Sequence, residues 1–128
     1  MSAALTGALL AAIALAAAGK PVPEAGPSPR DAAAFTRHAA ADGALAAMAT
    51  ACRLPERDVR GLIAHLDQTA LQGWDPGTPG IDVRAYRAAF STGAASTQAL
   101  LARLPASGPG WDANCAEVRA DVDAALAR

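Results

Sequence analysis

The stretch IDVRAYRAAFSTGAASTQALLARLP, Ile81 to Pro105, decides the fold class. Within it Tyr86, Phe90, Gly93, Thr97, Leu100, Leu101 and Leu104 recur at steps of three and four. That spacing draws one core-facing stripe along an α-helix, with Tyr86 as a core residue, and does not fit the alternation of a strand. Asp82 precedes the pattern as an N-cap, Ile81 and Tyr86 hold the two positions of a hydrophobic staple, and Pro105 stops the helix. Gly93 costs about 1 kcal/mol relative to alanine inside a helix. Its place on the stripe predicts the close approach of a neighbouring helix. Thr97, polar within the same stripe, is expected to bond back to a carbonyl of its own helix.

The rest of the chain reads the same way. The hydrophobic fraction is 52 %, much of it alanine, and aromatics are only 4 %, so an all-α class follows from composition as well. A first helix is predicted from Ser28 as N-cap, with Pro29 at its first position and Asp31 at its third, to about Arg53 before Pro55. Its buried face is read as Ala34, Ala41, Leu45, Met48 and Cys52, with a break or bend at Asp42-Gly43. A second helix runs from about Pro55 to Gln72, ended by Gly73, with Val59, Leu62, Ile63, Leu66 and Ala70 on one stripe. The Gly- and Pro-rich segments 73–80 and 105–110 are turns. A fourth helix, capped by Asp112, carries Cys115, Val118, Val122 and Leu126 on its stripe and ends near Ala127.

Four amphipathic helices with short connections predict a small antiparallel four-helix bundle. In an up-down-up-down order Cys52 and Cys115 fall at the same end, on the first and last helices, which neighbour each other in a square bundle. One disulfide between them is therefore expected. Closing that loop stabilises by about 4 kcal/mol in the chain-entropy model. The rival readings are two free thiols or a reactive Cys115, whose expected place in the first turn of a helix lowers a thiol's pKa.

Residues 1–18 read as a signal peptide. Ala3 to Ala18 is almost wholly apolar, and small residues at Ala14-Leu15-Ala16 and Ala16-Ala17-Ala18 suit cleavage before Ala17 or Gly19. No Lys or Arg precedes the run. An uncleaved anchor is the alternative, although the run is short of the roughly 20 residues of a membrane span. Residues 19–29, with four prolines and two glycines, form a flexible linker, and residues 30–128 form the helical domain. Export and a disulfide together place the protein in the periplasm or outside the cell.

The chain carries eleven basic and twelve acidic residues with no run of either sign, which argues against nucleic-acid binding and against a polybasic membrane patch. His38 and Asp42, four apart, could orient an imidazole for general-base work, but no nucleophile motif accompanies them. His65 falls off its helix's apolar stripe and is expected to be exposed. A metal site from His38, His65, Cys52 and Cys115 lacks the short-range ligand pairs of structural zinc sites, and there is no haem-attachment motif; no cofactor is expected. Arg84 and Arg87 at the start of the third helix are candidate contacts for a partner or a carboxylate. Trp74 and Trp111, each between Gly and Asp in a loop and expected at opposite ends of the bundle, are candidate partner anchors.

In size, export and cysteine count the chain is similar to small periplasmic acid-stress chaperones and to periplasmic immunity proteins. The absence of a catalytic motif and the stapled scaffold point to a protein-interaction module of chaperone, inhibitor or immunity type that binds another periplasmic protein, and no catalytic residue is assigned. The alternative is a bundle that binds a small ligand or a metal in a cavity left by its alanines.

Overall fold

The computed structural model describes residues 26–128. The expected signal peptide and most of the linker lie outside the described residues. Four helices form, α1 (Ala32–Ala51), α2 (Glu56–Gln68), α3 (Val83–Leu101) and α4 (Pro109–Leu126), with no strand among the described residues. One disulfide joins Cys52 at the end of α1 to Cys115 in α4, with a Cα–Cα distance of 5.5 Å.

The start of α1 differs from the expectation. Asp31, not Ser28, is the N-cap, and its carboxylate accepts the Ala34 N–H at 3.0 Å. Ser28 instead closes a turn, its carbonyl accepting the Asp31 N–H. The helix stops at Ala51 through a Schellman arrangement: Arg53 N–H donates to Thr50 O and Leu54 N–H to Ala49 O. Arg53 takes the left-handed φ of 57° that glycine usually supplies there. In α3 Asp82 caps as expected, accepting the Ala85 N–H at 2.7 Å, and Ile81 and Tyr86 are both buried in one cluster. Helix α4 begins at Pro109 with Gly108 as N-cap at φ 98°, so Asp112 lies within its first turn and Cys115 in its second.

The core follows small residues more than large ones. The buried residues of α1 are Ala34, Phe35, Ala39, Gly43, Ala46, Ala47 and Ala49, whereas the expected Ala41 is exposed and Leu45, Met48 and Cys52 are half-buried. Helix α1 runs unbroken through Gly43, which is a contact point. A Cβ at Gly43 would lie 2.0 Å from Phe90 O, and one at Gly93 would lie 2.0 Å from Ala40 O. Helices α1 and α3 thus touch backbone to backbone, as the position of Gly93 predicted. They run in the same direction, with Phe35 beside Tyr86 near their starts and Met48 beside Thr97 near their ends.

The most extensive helix pair is α1 with α3, while α2 and α4 pack on α1 and on each other. Sequence neighbours are therefore not always spatial neighbours, as a square bundle would require. Two clusters result. One joins Ala49 of α1, Leu62 and Leu66 of α2, and Val118, Val122 and Ala125 of α4. The other joins Phe35, Ala39, Ala70, Ile81 and Tyr86. Among the described residues no helix is long and apolar enough to cross a membrane.

Candidate functional site

The residues expected to act fall into different surface hollows, three of which matter here. At the disulfide end the last turns of α1 and α3 and the first turns of α4 enclose a groove of about 400 Å³. Met48, Thr97, Leu100, Leu101, Leu104 and Trp111 supply its walls, and no charged side chain lines it. The stripe of α3 here was expected to be core. It is not: Leu100 is 60 % exposed and Leu104 51 %. Helix α4 packs on α1 and α2, so among the described residues no helix covers this side of α3. Thr97 does not make the expected back-bond; Thr92, five residues earlier, donates to Ala88 O at 3.1 Å.

The second hollow, about 560 Å³, is polar and is lined by His38, Asp42, His65, Thr69, Gln72 and Arg128 among others. His38 Nε2 stands 3.5 Å from Asp42 Oδ2, the pair that their spacing on one helix suggested. The same Asp42 oxygen accepts the Tyr86 hydroxyl at 2.6 Å. Tyr86 was singled out only as a core residue; its hydroxyl lies 44 residues from its acceptor, beyond the reach of any local pattern. Burial pushes the Tyr86 hydroxyl far above its ordinary pKa of 10.0, and the Asp42 carboxylate pushes it the same way. His65 is half-buried at the edge of this hollow instead of exposed. The Thr69 hydroxyl nearby donates to His65 O at 2.8 Å. The Tyr86–Asp42 bond ties α3 to α1, and the His38 ring stands beside it. Among the described residues no three His, Cys, Asp or Glu side chains converge as metal ligands.

The third hollow, about 510 Å³, lies between α2 and α3, with Ile63 and Phe90 as its apolar floor. Arg87 lines it and is engaged within the fold, giving Asp67 two hydrogen bonds of 2.9 Å. Those bonds hold the Asp67 carboxyl below its ordinary range. Arg84 is exposed at the start of α3.

The chain matches no protein-family model, no curated protein and no solved structure. Function must be read from the molecule alone.

The two tryptophans occupy opposite ends. Trp74 is half-buried, edge-on to Phe35 at 5.3 Å and tilted against His38 at 5.9 Å. Its environment is that of a loop anchor: Asp75 N–H donates to Pro29 O at 2.8 Å, and Arg30 pairs with the Asp75 carboxylate at 2.9 Å. Trp111 is half-buried in the wall of the apolar groove. Of the four expected partner contacts, Arg87 borders the hollow over Ile63 and Phe90, and Trp111 joins the uncovered apolar groove. Leu100 and Leu104 complete that surface, and the sign of them in the sequence was a stripe longer than the core could cover.

Proposed function

We propose that the chain is a protein-interaction module of the periplasm or the extracellular space, and that it docks an uncharged, apolar segment of another protein in the groove at its disulfide end. The observation that carries this reading is the stripe of α3, written at helical spacing like a core face and left uncovered at Leu100 and Leu104. Residues 88–102 contain no charged side chain, and neither does the groove lining. A charged group docked there would lose its water without gaining a counterion, so the surface selects a neutral apolar segment. Trp111 beside the leucines adds the kind of aromatic anchor that dominates binding energies. The disulfide is consistent with an oxidising compartment.

Crosslinked affinity capture from the host's envelope extract tests the reading. Wild type should retain a partner that the double variant Leu100→Gln/Leu104→Gln loses while keeping its helicity. Equal capture by both proteins contradicts the groove as the docking surface.

A second reading has its own support in the polar hollow around His38, Asp42 and His65, whose volume and hydrogen-bonding groups suit a small polar ligand. Native mass spectrometry of protein from the host would show such a ligand as a mass adduct that His38→Ala removes.

A further inference from the structure

We infer that the docking groove is thiol-sensitive: reducing Cys52–Cys115 frees the first turns of α4 and dismantles the groove, while the rest of the bundle stays folded. The inference rests on the proposed reading of that groove and adds a control to it.

The two halves of α4 are held by different means. Its later turns bury Val118, Val122 and Ala125 against Ala49, Leu62 and Leu66. Arg119 adds a bond to Asp58 at 3.1 Å and another to Asp123. Residues 109–117 bury no side chain fully: Trp111 and Cys115 are half-buried and the rest are exposed. Their N-cap, Gly108, offers no side-chain bond to the open N–H groups, and Gly110 follows inside the helix. A helical segment with few buried contacts and exposed backbone bonds opens at little cost.

What fixes that segment is the disulfide, and its position matches the groove. On α1, Met48 and Cys52 are four residues apart; on α4, Trp111 and Cys115 are four residues apart. Residues at that spacing share a helix face. The bond therefore ties together the two faces that present Met48 and Trp111 to the groove. Both cysteines are half-buried and so within reach of solvent.

A dithiol reductant completes the step. One of its thiolates attacks a sulfur of the bond to give a mixed disulfide and releases the other cysteine. Its second thiol then displaces the remaining cysteine. Two electrons and two protons pass to Cys52 and Cys115, which become thiols, and the reductant becomes a disulfide.

Hydrogen-exchange mass spectrometry on the wild-type protein, oxidised and after dithiothreitol, reads the effect peptide by peptide. Reduction should abolish protection across residues 112–116 and leave it in residues 118–126 and in α1 to α3. Cys115→Ser should give the reduced pattern without any reductant. Unchanged protection at 112–116 in fully reduced protein overturns the inference, as does loss of protection throughout the chain, which would make the bond a clamp on the whole fold. The readout needs no partner, so failure to capture one tests the docking reading alone and leaves this result to stand or fall separately.

Discussion

Tyr86 is the residue on which the local chemistry turns. It is the one tyrosine of the chain and is 1 % exposed, with its hydroxyl on Asp42. An unfolded chain ionises its tyrosine near 10.0, whereas the folded chain resists ionisation well above that value. The stability linked to Tyr86 is thus complete below pH 10.0 and is lost as pH rises past it. Ultraviolet titration should show tyrosinate appearing in the same step as the loss of helicity, not before it. Tyr86→Phe keeps the ring but removes the donor to a largely buried carboxylate, and should cost about 1–3 kcal/mol in urea unfolding at neutral pH. The leucines divide in a parallel way. Leu62 is fully buried, so Leu62→Ala should cost about 2–5 kcal/mol. Leu100→Gln faces water and should stay within about 0.5 kcal/mol of wild type. If Leu100→Gln destabilises as much as Leu62→Ala, the α3 stripe is core and not a docking surface. At this scale the His38–Asp42 pair was legible because both lie on one helix. The Tyr86 bond was not, because only the fold brings its two ends together.

Among the elements, the crossing of α1 and α3 is the tightest constraint. Gly93→Ala gains about 1 kcal/mol of helix propensity. It also drives a methyl group to 2.0 Å from the Ala40 carbonyl oxygen, a backbone atom that moves only if the whole helix moves. The clash should win by about 1–3 kcal/mol, seen as a lower urea midpoint. A stabilised Gly93→Ala would show that the helices do not touch there. Helices α2 and α3 are linked instead by Asp67 and Arg87. Since the folded Asp67 titrates below 3.8, its contribution is complete above that value and is lost as pH falls through the depressed one. The melting temperatures of wild type and Asp67→Asn should therefore converge on acidification below pH 3.8. Helix number, the Asp82 cap and the meaning of Gly93 were legible, since each rests on local chemistry. The face of α1 was not. Alanine-rich segments offer little contrast between inside and outside, so Leu45 and Met48 drew the eye while Phe35 and Gly43 carried the packing. The same contrast misled in the opposite sense on α3: leucine spacing says that a face needs covering, not which molecule covers it.

At the level of the whole molecule, the disulfide and the α1–α3 pair divide the work of holding four helices. The close pair forms a rigid axis on which α2 and α4 rest. The bond between residues 63 apart adds a closure of about 4 kcal/mol in the chain-entropy model, a large share for a domain of this size. That the two cysteines would meet at one end was legible from the alternation of helix directions. The order of packing was not, because loops of several residues permit more than one choice of neighbour. The proposed docking groove, its inferred dependence on the bond and the proposed extracytosolic setting all require that the bond exist in the living host. Intact-mass analysis of protein taken from that host, alkylated under denaturing conditions without reductant, decides the matter most directly. Protein that gains no adduct until it is reduced, and two afterwards, is the predicted result. Two adducts before reduction would contradict the account.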